Sequence, residues 1–227
     1  MKNLIKNISN ADKEYVNLFV QKINLLDKKI KSLILSINYT IVLANKCSDV
    51  YSEKEFNKLI EEVNDYKEEY TKNNIDKTLR GTCSDTIKKI CAFLNTTPEK
   101  QLGFILYHEI GHFLDFYNKT GIFKKNYLSS KKEFVNAYKK DLSKNWDNIK
   151  QDKRYRLIHL IQESTPENPN KIAMAETFAN CFAKMLNEID EFDFIELYFK
   201  NSLQATKKIV ENFLSSLSSL NYKDIEI

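Results

Sequence analysis

The chain has 227 residues, 42% hydrophobic and 29% charged, enough to enclose one sizeable core and too apolar for a disordered chain. Its 35 basic and 31 acidic residues leave a net charge of +4 spread along the sequence, so no basic footprint for nucleic acid or anionic lipid stands out. Three prolines and four glycines favour helices joined by polar loops over a turn-rich β-sandwich.

The expected class is therefore α+β, mainly helical with a small sheet. We read one domain over residues 1–227, with a helix-and-strand lobe to about residue 95 and a helical lobe over about 96–227. No apolar run approaches the ~18 residues of a membrane span. The first ten residues break every apolar pair with Lys or Asn, so no leader is read and the expected location is cytoplasmic as written, or secreted if a leader has been removed. Cys47, Cys83, Cys91 and Cys181 form no C-x-x-C pair and read as buried free thiols, with a Cys83–Cys91 bridge across a hairpin as the alternative in an oxidising compartment.

In chain order, Tyr15, Leu18, Phe19, Ile23, Leu26 and Ile30 recur at three and four, predicting an amphipathic helix over residues 11–32. Residues 33–43 are dense in β-branched side chains and predict one or two buried strands. Ser52 with Glu55 is a capping box, opening a helix to about Tyr70 along Phe56, Leu59, Ile60, Val63 and Tyr66. Residues 78–83 and 87–94 predict a hairpin, and the strand just before the next helix is placed to be a sheet edge to which an extended peptide can add. Thr97-Pro98-Glu99 then predicts a helix start, hydroxyl cap, proline and carboxylate together, for a helix over 98–117.

That helix carries His108-Glu109-Ile110-Gly111-His112. Residues four apart stand one above the other, about 6 Å along the axis, so both imidazoles reach one ion from the same face. Zinc takes such a pair at ~2.0–2.1 Å, while Glu109, about 100° around the helix, is placed to take a proton rather than to bind the ion. In a chain with three histidines, the pattern arises by accident with odds of roughly a few in a thousand. A structural zinc site would ask for four ligands rich in Cys. Asp115 lies about 10 Å of helix from His108 and reads as an acceptor for the free nitrogen of a liganding histidine, or else as an exposed helix-end carboxylate.

Further on, helices are expected near residues 131–143 and 154–162. His159, with no companion at metal spacing, reads as a packed or surface histidine. Residues 164–170 hold two prolines and form a loop. Beyond it, Ile172, Ala175, Ala179, Phe182, Ala183 and Leu186 mark a helical stripe with Glu176 inside its apolar sector, beside three alanines. Small residues permit close helix approach. A carboxylate there needs a cation, which a metal held by two histidines supplies; the alternative is a Glu at the stripe's margin that reaches solvent. Residues 192–217 are expected to pack as one or two helices.

The stretch His108-Glu109-Ile110-Gly111-His112-Phe113-Leu114-Asp115, after a strand pair and before Ala175-Glu176-Thr177-Phe178-Ala179-Asn180-Cys181-Phe182-Ala183, resembles the gluzincin zinc metallopeptidases related to the catalytic domain of anthrax lethal factor and the Pro-Pro endopeptidases. The resemblance runs from about residues 25–43 to 199–213. It implies a zincin fold with the sheet packed against the active-site helix, one Zn2+ on His108, His112 and Glu176, and Glu109 as the base in hydrolysis of a protein or peptide substrate. The family's oxyanion-donating tyrosine would fall in the proline loop, so Tyr155 is the nearest candidate. The stretch between His112 and Glu176 is longer than in these relatives, implying an extra helix or loop. Glu176-x-x-Ala179-Asn180-x-Phe182-Ala183 is also similar to the ImmA/IrrE-type intracellular regulatory peptidases that act on repressors, which rank second because they place the Glu closer to the motif. A binding module that kept the fold and lost activity is a third expectation, and the intact Glu109 speaks against it.

Overall fold

The computed structural model describes residues 4–64, 74–117, 127–152, 155–186 and 193–217, with backbone alone at 61–64, 155, 156 and 158. These residues are mostly helical with a small four-stranded mixed sheet, an α+β arrangement. The chain divides into two compact units, Met1–Glu109 with Ser216–Ile227, and Ile110–Ser215.

The first unit holds β1 (Ile5–Asn7), α1 (Lys13–Asn24), α2 (Lys28–Ser36), β2 (Thr40–Ala44), α3 (Glu53–Asn64), α4 (Ile75–Thr78), β3 (Gly81–Ser84), β4 (Lys89–Phe93) and the beginning of α5 (Leu102–Tyr117). The strand order is β1-β2-β4-β3. β1 and β4 flank β2 in parallel, with Ile41 opposite Ile5 and Ile90, and β3 pairs antiparallel with β4. Ile41, Val42, Leu43 and Ala44 are all buried, as expected of an interior parallel strand covered on both faces.

Several expectations are corrected here. The helix over 11–32 is two helices, because Asp27 accepts a hydrogen bond from the Lys29 amide at 2.7 Å and caps a new one. Residues 33–36 belong to α2, where Ile30, Leu33 and Ile34 bury one helical face; that spacing outweighs the β-branched composition. Asn38, at φ 63°, then turns the chain into β2. The strand just before the motif helix is β4, which is interior; the edge falls to its hairpin partner β3.

The capping box of α3 forms as expected, with the Ser52 amide donating to Glu55 Oε2 at 2.9 Å and the Glu55 amide to Ser52 Oγ at 3.4 Å. The stretch of that expected helix over residues 65–70 lies outside the described residues. The Thr97 hydroxyl donates to the Arg80 carbonyl at 3.3 Å instead of capping, and a 3-10 turn, Glu99–Gln101, precedes α5.

Cys83 stands opposite Ile90, whereas Cys91 stands opposite Thr82. The two cysteines are therefore one register step apart and point to opposite faces of the sheet, so no bridge joins them. All four cysteines are free, and Cys83 is half-buried rather than buried. On one face, Phe56 and Leu59 of α3 pack with Val42, Ala44, Tyr51, Cys91 and Phe93. The other face receives α5, which is tied to α1 by the Tyr107 hydroxyl donating to the Lys22 carbonyl at 2.8 Å.

The second unit contains the remainder of α5 and α6 (Lys132–Gln151), α7 (Tyr155–Ile161), α8 (Lys171–Leu186), α9 (Asp193–Tyr198) and α10 (Lys200–Ser216). Buried Asp141 on α6 accepts hydrogen bonds from the Asn201 and Ser202 amides at 3.1 and 2.7 Å and from the Ser202 hydroxyl at 2.7 Å, fastening the start of α10. Phe134, Tyr138, Phe178 and Phe199 form an aromatic core through ring contacts of 5.4–6.5 Å. Among the described residues, no helix is long and apolar enough to cross a membrane.

Candidate metal centre

Helix α5 is apolar almost all round. Leu102, Phe104, Leu106, Tyr107, Ile110, Phe113 and Leu114 are buried, so its polar side chains stand on a rigid element. One ligand atom each from His108, His112 and Glu176 lies within 4.8 Å of the others, a cluster that can hold a metal ion. His112 Nε2 is 3.2 Å from Glu176 Oε1, with side-chain exposures of 8% and 18%. Two N or O ligands at ~2.0 Å from a tetrahedral zinc are separated by roughly 3.3 Å, so this pair already has the spacing of two corners of such a site.

Glu176 reaches that place through α8. The Asn170 side chain caps α8 by accepting from the Ile172 amide at 2.7 Å. One turn beyond Glu176, Ala179 lies against Gly111: a Cβ added to Gly111 would stand 2.7 Å from Ala179 Cα and 3.1 Å from its carbonyl oxygen. The glycine inside the motif thus lets the two helix backbones meet, and the near-burial of a carboxylate beside an imidazole follows from that approach. The expected role of the alanine stripe has this partner.

Phe116 stacks on His112 with centroids 5.8 Å apart, and Tyr127 packs edge-on to Phe116 at 5.8 Å. Asp115 is fully buried, not an exposed helix-end group. Its two oxygens accept from the Ser129 amide at 2.7 Å and the Ser129 hydroxyl at 2.8 Å. Burial raises its pKa to about 6 despite the Ser129 hydrogen bonds and the nearby His112 charge, which act downward. Asp115 thereby fastens the turn Leu128–Ser130 to α5. His159 is half-buried on α7. Tyr155 is the first residue of α7, and its side chain lies outside the described residues.

Glu109 is 7% exposed and faces β3. A Cβ added to Gly81 would stand 2.8 Å from Glu109 Cγ and 2.8 Å from its Oε1. Gly81 falls within the first strand of the predicted hairpin, as the structure has it, but the sequence assigned it no role of its own. The signal that would have found it is a glycine inside a predicted strand, which marks a bulge, a bend or a close approach. Ser129 had no such signal, since its role depends on a fold-back from α5. No protein-family model and no curated protein matches the chain.

Proposed function

We propose that the protein is a zinc-dependent endopeptidase of the gluzincin type, with a zincin fold, hydrolysing peptide bonds of an extended protein or peptide segment. The convergence of His108, His112 and Glu176 carries this reading. Two imidazoles and one carboxylate suit a catalytic zinc, since structural sites are closed by four protein ligands, whereas three leave a position open. Zinc bound there lowers the pKa of a water and polarises a carbonyl oxygen.

Glu109 takes the proton released as water adds to the peptide carbonyl carbon, and passes it to the amine nitrogen as the C–N bond breaks. Its near-burial keeps the carboxylate from wandering into solvent. β3, the edge strand beside Glu109, offers main-chain pairing to an extended segment. Tyr155 is the candidate donor to the oxyanion.

Elemental analysis after dialysis, combined with cleavage of fluorescein-labelled casein, tests this. The parent is expected to hold one zinc per chain. Glu176→Ala should weaken zinc by more than about a hundredfold, beyond what loss of an outer hydrogen-bonding partner costs. Glu109→Gln should keep its zinc and lose at least about a hundredfold in rate. Undiminished cleavage by Glu109→Gln would sink the mechanism.

A further inference from the structure

Gly81 occupies the first position of an edge strand of four residues, β3, where a glycine weakens pairing and contributes no packing. Its backbone is not in the left-handed region, so conformation does not require it. Space does. A Cβ there would meet Glu109 Cγ at 2.8 Å, Glu109 Oε1 at 2.8 Å and the Cys91 carbonyl oxygen at 2.9 Å, all closer than such atoms pack. An exposed glutamate would swing aside at little cost, but Glu109 is 7% exposed. Opposite Gly81 in the register stands Ala92, also small and on the same face of the sheet.

We propose that Gly81 is a positioning residue for Glu109: the missing side chain leaves the slot in which the carboxylate lies, and the strand backbone, held by β4, fixes it there. This rests on the reading of Glu109 as the base. The hydrogen bonds that pair β3 with β4 set the floor of the slot, so the carboxylate is located by sheet geometry and not by a flexible neighbour.

Thermal midpoints of the parent, Gly81→Ala, Glu109→Ala and the double variant test the contact without reference to activity. Gly81→Ala should lower the midpoint, and the drop should shrink by more than about half in the Glu109→Ala background, where Cγ and Oε1 are gone. Equal drops in both backgrounds would overturn the proposal, because the Cys91 carbonyl would then be the obstacle. If Gly81→Ala fails to fold, a folded double variant supports it and an unfolded one overturns it.

Cobalt(II) in place of zinc gives a second readout. Gly81→Ala should bind one cobalt per chain and displace the visible absorption bands in the same sense as Glu109→Gln; bands identical to the parent's overturn the proposal. On fluorescein-labelled casein, kcat should fall by about tenfold to a hundredfold with KM within about twofold, the pattern of a misplaced group rather than a lost binding contact. An unchanged kcat overturns it. If the parent itself does not cleave casein, the endopeptidase reading fails there, while the melting and cobalt measurements still decide for or against Gly81.

Discussion

Helix α5 is held in two different ways at Glu109 and at His112. At Glu109 its neighbour is a strand backbone, Gly81 of β3, whose position is set by the register with β4. At His112 the neighbours are helical: Gly111 meets the backbone of Ala179, and Phe116 stacks on the imidazole. A sheet hydrogen-bonded across its strands yields little, whereas a helix pair is set by side-chain volume and shifts when volume changes. Glu109 and the His112–Glu176 pair thus answer to different parts of the chain, and substitutions should separate them.

Gly111→Ala should have the largest effect. Helix propensity alone favours alanine by about 1 kcal/mol. The new Cβ, however, would stand 2.7 Å from Ala179 Cα, a backbone atom that cannot turn aside, and overpacking of this kind costs about 1–3 kcal/mol. Packing should win, lowering the denaturation midpoint, and the displaced α8 should carry Glu176 away from His112 and weaken zinc in a calorimetric titration. Parent-like zinc affinity in this variant would mean that the helix contact does not set the ligand spacing.

An effect on stability that leaves the His112–Glu176 spacing alone is expected from pH. In the metal-free protein, burial raises the Asp115 pKa from 3.8 to about 6. The folded chain then keeps a proton that the unfolded chain gives up from about pH 4, so folding stability should fall as pH rises from about 4 to 6, by up to about 2–3 kcal/mol. Below pH 4 both states are protonated and the contribution is fully present. Asp115→Asn should flatten this part of a chemical-denaturation series between pH 4 and 7. A series as steep as the parent's would assign the dependence to other groups.

The residues around α5 also show what the sequence could and could not disclose. The His108–His112 pair and the α8 stripe with Glu176 were legible because helical spacing alone puts them on one face. So was the capping box at Ser52 and Glu55, a purely local pattern. The break between α1 and α2 was missed because Asp27 works by a cap inside an otherwise continuous apolar period. The edge position of β3 depends on β2 covering β4, a pairing between distant parts of the chain that no local window contains. Gly81 and Ser129 act through contacts 28 and 14 residues away in sequence, and Asp115 could be placed near His112 but not given its partner.

The smallest effect sharpens the comparison within β3 itself. Thr82 follows Gly81 and so points to the opposite face of the sheet, where the buried Tyr51 hydroxyl lies 2.6 Å from Thr82 Oγ1 and 3.3 Å from Cys91 Sγ. Tyr51→Phe removes that hydroxyl while keeping the ring against Phe56 and Phe93, and should cost about 1 kcal/mol, the net worth of one hydrogen bond. Because the strand between the two faces is pinned by pairing with β4, the loss should not reach Glu109: the cobalt spectrum and zinc affinity of Tyr51→Phe should match the parent's, whereas Gly81→Ala, one residue from Thr82, alters the spectrum. If Tyr51→Phe altered them as well, β3 would be moving as a body, and the carboxylate would be held by the whole strand's packing rather than by the slot at Gly81.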